Sequence, residues 1–343
     1  MIWEHKEIRL RPEEWLQGAG ITHNAPGILK CALNFLREWA NEEDFIIATT
    51  SGSTGTPATI RLSKKMMRAS AQRTINFFGL SEGMRGLLCL SPDFIAGKMM
   101  IVRALECRMD LVLREPGDTL LSRCDNEFDF AAMVPLQVRS LLGDSPEMLR
   151  RVKRMLIGGA ELDAGSSEKL REYISESYES YGMTETASHV ALRKCGDTNR
   201  LFRALPGICF STDDRDCLVI RMDEPALALV TNDCVRLHGE KEFEWRGRVD
   251  QVVNSGGIKL HPSELEAKVE GLIRSAHYFT GIDDKRLGQA LILVIEGSAA
   301  ESDSTLLEKL SERLGKYELP KAIYYITQLK RTTTGKIIRQ WPL

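Results

Sequence analysis

Between about residues 44 and 183, short apolar runs alternate with amphipathic stretches, the spacing expected when strands of an open, mostly parallel sheet alternate with covering helices. Residues 45–48, 87–90, 109–113, 130–134 and 155–157 read as strands. Residues 63–78 and 97–105 have helical spacing, with Ser63 as the N-cap of the first. From about 207 to 246 the pattern turns into short β-rich pieces (217–221, 227–230 and 243–245) between Asp- and Gly-containing turns, which predicts a small β subdomain. After Gly247, helical spacing over 263–272 and 304–314 and strand-like runs over 291–295 and 322–326 predict a compact α+β domain. No internal repeat is visible.

Composition narrows the class. A chain of 343 residues, 43% hydrophobic and 27% charged, is long enough for a large domain and a smaller one. Its formal net charge of −2, with both signs mixed along the chain, lacks the basic surface that a phosphate backbone requires, so nucleic acid is not an expected partner. Eight cysteines without a close CxxC pair read as reduced thiols rather than a disulfide framework or zinc site. The first fifteen residues carry charges where a leader would be apolar, and no apolar run reaches the roughly 20 residues that span a bilayer; a cytoplasmic protein without membrane insertion is expected.

Two stretches carry recognisable chemistry. Thr49, Thr50, Ser51, Gly52, Ser53, Thr54, Gly55 and Thr56 follow a strand and precede a helix. Glycines there let backbone N–H groups reach an anion, and hydroxyls add donors, so the run suits phosphates; by composition alone it also suits a plain surface loop. It is not a Walker A loop. Tyr181, Gly182, Met183, Thr184 and Glu185 put an aromatic face, a hydroxyl and a hard carboxylate oxygen within five positions, apt for a base, a phosphate and Mg²⁺ respectively.

Together these stretches resemble the acyl-adenylate-forming superfamily of acyl-CoA synthetases, luciferases and adenylation domains. Further motifs follow in that superfamily's order. Gly158, Gly159 and Ala160 resemble the adenine-side loop, Thr231-Asn232-Asp233 the T-G-D whose aspartate holds the ribose, and Gly247-Arg248-Val249-Asp250 the hinge motif. Asn254 to Lys259, with Gly256 and Gly257, is similar to the Gly-rich strand after the hinge, and Thr333-Thr334-Gly335-Lys336 to the loop of the catalytic lysine. The likeness spans roughly residues 45–340.

The resemblance implies a large N-terminal nucleotide- and acid-binding domain over 1–249, shortened relative to the family, and a mobile C-terminal domain over 250–343. It implies ATP, Mg²⁺ and coenzyme A as reactants or cofactors of a small carboxylic acid. Lys336, Thr184 and Glu185 would be catalytic, Glu185 holding the metal. Residues 50–55, 158–160, Tyr181, Gly182, Asp233, Arg248, Gly256 and Gly257 would bind nucleotide and CoA, with Asp250 as hinge. Where family members have Pro-Lys, this chain has Pro57-Ala58, so the nearest cations are Lys64 and Lys65; Ile95 stands where many have histidine, and Gln251 follows the hinge aspartate. The early phosphate loop and the run from Met183 to His189 most resemble the o-succinylbenzoate–CoA ligases of menaquinone biosynthesis. Such a substrate needs a cation for its second carboxylate; Lys98 is the candidate, with Ser188 and His189 bordering the pocket. Another aryl-acid ligase, a carrier-protein adenylating enzyme and a nucleotide-binding pseudoenzyme are the alternatives.

Overall fold

The computed structural model describes residues 3–4, 7–16, 27–49, 59–117, 121, 127–299, 302–331, 337–339 and 341. These form two compact units, Met1–Ile208 with Met222–Leu227, and Cys209–Arg221 with Ala228–Leu343.

The first unit contains β1 (Trp3–Glu4), β2 (Glu7–Leu10), α1 (Pro12–Leu16), α2 (Gly27–Ala40), β3 (Phe45–Thr49), β4 (Thr59–Ser63), α3 (Lys64–Phe78), β5 (Arg85–Leu88), α4 (Ile95–Cys107), β6 (Asp110–Leu113), β7 (Phe130–Met133), α5 (Pro135–Asp144), β8 (Arg154–Ile157), α6 (Ala164–Leu170), β9 (Glu176–Gly182), β10 (His189–Lys194) and β11 (Phe202–Ala204). Its main sheet runs β1-β2-β6-β5-β7-β8-β9-β10-β11. The five central strands, β6 to β9, are parallel, and the flanks are antiparallel. The α/β class with a largely parallel centre is thus the observed fold.

Why these strands form is plain from burial. A parallel strand covered on both faces must be apolar throughout, and all four residues of β7 are buried. One layer of core lies where Leu87, Val112, Ala131 and Met155 meet Val138, Leu141 and Leu170 of α5 and α6. Ser63 does cap α3, accepting the Met66 N–H at 3.1 Å, and Gly79 ends that helix in the left-handed region.

One expectation is corrected. Residues 45–49 do not join the parallel sheet; β3 pairs antiparallel with β4 in a two-stranded sheet of its own, Thr49 opposite Thr59. Ile46 and Ala48 are buried while Ile47 is 42% exposed, the alternation of a strand with one covered face. Residues 50–58 lie outside the described residues.

The order β6-β5-β7-β8-β9 reverses direction between β5 and β7. In open α/β sheets, ligands bind beyond the carboxyl ends of the strands at such a reversal. Gln137 ties that point together, its amide donating to the Cys89 carbonyl at 3.0 Å and its oxygen accepting the Val134 N–H at 3.1 Å.

The second unit holds β12 (Ile208–Thr212), β13 (Cys217–Met222), β14 (Leu227–Leu237), β15 (Glu242–Arg248), β16 (Val253–Ser255), β17 (Ile258–Leu260), α7 (Pro262–Lys268), β18 (His277–Asp284), β19 (Gly288–Glu296), α8 (Asp303–Ser311) and β20 (Ala322–Ile326). Strands β12 to β15 run in the order β15-β14-β13-β12, and a separate sheet runs β17-β16-β19-β18 with β20 parallel to β19. Val269, Phe279, Leu293 and Leu310 form its fully buried centre. The grouping by compactness joins the β-rich stretch to the C-terminal elements.

Candidate active site

In the first unit the predicted residues gather at the carboxyl ends of β8 and β9. Gly158 leaves β8 with its N–H on the Met133 carbonyl at 3.0 Å, and Gly159 and Ala160 are exposed beyond it. Tyr181 and Gly182 end β9, and Thr184 and Glu185 lie in the short 3₁₀ turn Thr184–Thr186 that follows. Buried Thr186 pins this turn: its hydroxyl accepts the Met183 N–H at 3.1 Å and reaches the carbonyls of Met183 and Ser188 at 2.9 and 2.6 Å. Gly182 makes the turn possible, because a Cβ there would lie 2.4 Å from the Ser188 carbonyl oxygen and 2.5 Å from the His189 Cα. Glu185 is left exposed, with no hydrogen bond or ion pair among the described residues. A single free carboxylate of this kind suits Mg²⁺, which takes one or two carboxylates and completes its shell with phosphate and water.

Beneath the turn sits a buried polar cluster. Ser188 Oγ is 3.1 Å from His189 Nδ1, and His189 Nε2 is 3.3 Å from Thr74 Oγ1 on α3. Arg103 of α4 donates to Ser188 Oγ at 3.0 Å. Arg103 is 2% exposed, its Nε has no partner, and among the described residues no carboxylate pairs with it; burial pushes its guanidinium down to about 10. Arg73, on α3 beside Thr74, has its Nε and Nη2 buried without partners. Burial first, then Arg103 and Arg73, hold His189 neutral, well below its usual range. Among the described residues this positive charge has no carboxylate counterpart, an arrangement that favours an anion.

Lys98 is differently placed. Its ammonium donates to Glu38 at 2.9 Å and to the Ile47 carbonyl at 3.2 Å, over the Phe35 ring at 5.0 Å. Lys98 is thus paired with Glu38, whereas Arg103 has no carboxylate partner among the described residues. Lys64 is likewise spent, on the carbonyl and side chain of Asn41, both at 2.8 Å.

The motifs of the second unit expected on the nucleotide side form their own group. Asp233 on β14 lies directly opposite Arg248 on β15 in the antiparallel register. Trp245 donates its indole N–H to Asp233 at 3.2 Å, and Asp233 takes its own N–H to Thr231 Oγ1 at 3.1 Å. Arg248 forks onto Asp250 at 2.7 and 3.0 Å, so the predicted ribose arginine and hinge aspartate are partners here. Gly256 and Gly257, at φ 60° and 84°, form the two-residue turn between β16 and β17, a geometry requiring positive φ at both positions. Thr50, Ser51, Gly52, Ser53, Thr54, Gly55 and Lys336 lie outside the described residues. No three-residue cluster of His, Cys, Asp or Glu fit for a metal occurs among the described residues. No helix among them is long and apolar enough to cross a membrane.

Residues 8–208 match the family described as AMP-binding enzyme. A solved structure, the acyl-CoA synthetase (AMP-forming)/AMP-acid ligase II-like protein from Dyadobacter fermentans, is 34% identical with TM-score 0.65, covering 97% of each chain. The 2-succinylbenzoate–CoA ligase of Salmonella typhimurium is 24% identical over 340 residues, covering 92% of this chain and 72% of its own length. The o-succinylbenzoate coenzyme A synthetase of Bacillus subtilis, solved with ATP and magnesium ion, shares the fold at TM-score 0.75 and 22% identity over 85% of this chain. The chain belongs to the AMP-binding enzyme family. By class it is an AMP-forming acid–thiol ligase.

Proposed function

We propose that this chain is an o-succinylbenzoate–CoA ligase that adenylates one carboxylate with release of pyrophosphate and then forms the CoA thioester. The observation that carries the substrate is the buried Arg103, without a carboxylate partner among the described residues, beside Ser188 and neutral His189. An aryl acid with two carboxylates supplies the missing anion with one and reacts through the other. Relatives named for that reaction support the same reading.

The carboxylate and the triphosphate are both anions, so positioning and charge neutralisation must carry the first step, in which a carboxylate oxygen attacks the α-phosphorus and pyrophosphate leaves. Lys336 bridges the substrate carboxylate and the α-phosphate, residues 50–55 hold the departing phosphates, and Gly158 to Ala160 with Tyr181 flank the adenine. Asp233, aimed by Trp245, and Arg248 take the ribose hydroxyls. Thr184 meets phosphate, and Glu185 would hold Mg²⁺, which when bound neutralises phosphate charge. Asp250 is the hinge between a body over 1–249 and a mobile part over 250–343; its turn withdraws Lys336 and brings Gly256 and Gly257 to the pantetheine arm. The test separates the half-reactions. Lys336→Ala should lose adenylation while retaining thioester formation from preformed o-succinylbenzoyl-adenylate, and equal losses in both would refute the assignment.

A further inference from the structure

We infer that Arg193 is a positioning residue that holds the two walls of the nucleotide site in fixed relation, an assignment resting on the reading of residues 158–160 and Tyr181 as those walls. Arg193 on β10 lies opposite Glu179 on β9 in the antiparallel register. Both are buried, at 6% and 4% exposure, and their atoms meet at 2.9 Å. An ion pair withdrawn from water contributes little net stability, since desolvation offsets the attraction. What this pair does contribute is geometry.

Glu179 also accepts the Leu162 N–H at 3.1 Å, which anchors the far end of the loop leaving β8. The Arg193 guanidinium reaches Glu161 of the same loop at 3.3 Å, and Arg200 holds that carboxylate at 2.7 Å. The guanidinium also lies 4.6 Å above the ring of Phe202, and that ring packs 5.8 Å from Tyr181 at a 55° tilt. One planar cation thus touches the loop through Glu161 and Glu179, and the tyrosine through Phe202. Only a guanidinium offers donors to two carboxylates in its plane and a face to an aromatic ring at once.

A base held between loop and tyrosine is selected by their separation, so loss of the link should relax base selectivity more than it lowers overall stability. The test is calorimetric titration of the full chain with ATP and with GTP. The double variant Arg193→Met with Glu179→Gln removes both buried charges and keeps a side-chain acceptor for the Leu162 N–H. It should melt near wild type, bind ATP about 10-fold more weakly and bind GTP unchanged, since sub-ångström misplacement suffices for such losses. Arg193→Lys, which keeps the charge but loses the fork, should recover roughly half of the lost ATP/GTP ratio on a logarithmic scale. Tyr181→Leu is the control on the site itself. An unchanged ATP/GTP ratio in the double variant, with weakened ATP binding in Tyr181→Leu, overturns the positioning role and leaves the site standing. Unchanged binding in both overturns the nucleotide assignment as well. If the double variant does not fold, Arg193→Lys decides alone: a wild-type ratio there refutes the role.

Discussion

Replacing Arg103 by methionine should make the protein more stable and less selective, an opposite-signed pair that a structural arginine does not give. Burial holds the guanidinium at about 10, against an ordinary value of about 12.5. At ~1.4 kcal/mol per pH unit, the native state bears about 3 kcal/mol of uncompensated charge. Arg103→Met removes that stress and forfeits one hydrogen bond to Ser188, worth ~1 kcal/mol; methionine retains most of the apolar stem. A net gain of about 1–2 kcal/mol, or ~2–6 °C in the unfolding midpoint, follows. The same change should lower kcat/KM for o-succinylbenzoate by about 10²-fold, because a desolvated charge pair is lost. Benzoylpropionate, which lacks the ring carboxylate, should react equally well with wild type and variant, within ~3-fold. The assays are thermal unfolding and ATP–pyrophosphate exchange with both acids. A destabilised variant with unchanged preference between the acids would refute the reasoning, since Arg103 would then be part of the scaffold.

Gly182→Ala forces a Cβ against the Ser188 and His189 backbone; it should cost about 1–3 kcal/mol by overpacking and abolish exchange by displacing Thr184 and Glu185, as chemical denaturation and a pyrophosphate assay will report. His189 is buried and held neutral by burial, Arg103 and Arg73. Its folded value lies below its unfolded one, so between the two the unfolded chain binds the extra proton and stability falls as pH falls below ~6.5, by up to ~1.4 kcal/mol per pH unit. His189→Gln should lose this component, seen as a flatter denaturation midpoint between pH 7.5 and 5.5; parallel profiles would argue against it.

Much of this arrangement was legible because the physics is local. Strands buried on both faces read as unbroken apolar runs, and β20 falls on the residues expected, 322–326. The motif glycines and hydroxyls sit at strand ends, so Gly158, Tyr181 and Thr184 gather where the topology puts them. Pairing is not local. The run at 45–49 looks like a core strand, yet its partner is β4 and Ile47 faces outward. Lys98 resembles a free cation until Glu38, sixty positions earlier, closes on it. Arg103 had a signal, a lone charge inside the apolar run 99–105, but its unpaired state depends on what α3 and β10 bring to it. The opposition of Asp233 to Arg248, and of Glu179 to Arg193, is set by strand register that spacing does not encode.

The central claim is that this chain activates an acid with two carboxylates. ATP–pyrophosphate exchange by the wild-type protein with o-succinylbenzoate, benzoate, a long-chain fatty acid and no acid tests it most directly. The account predicts exchange confined to o-succinylbenzoate and lost in Lys336→Ala; exchange with benzoate or the fatty acid in preference would contradict the substrate, and no exchange with any acid by a protein that binds ATP would contradict the activity.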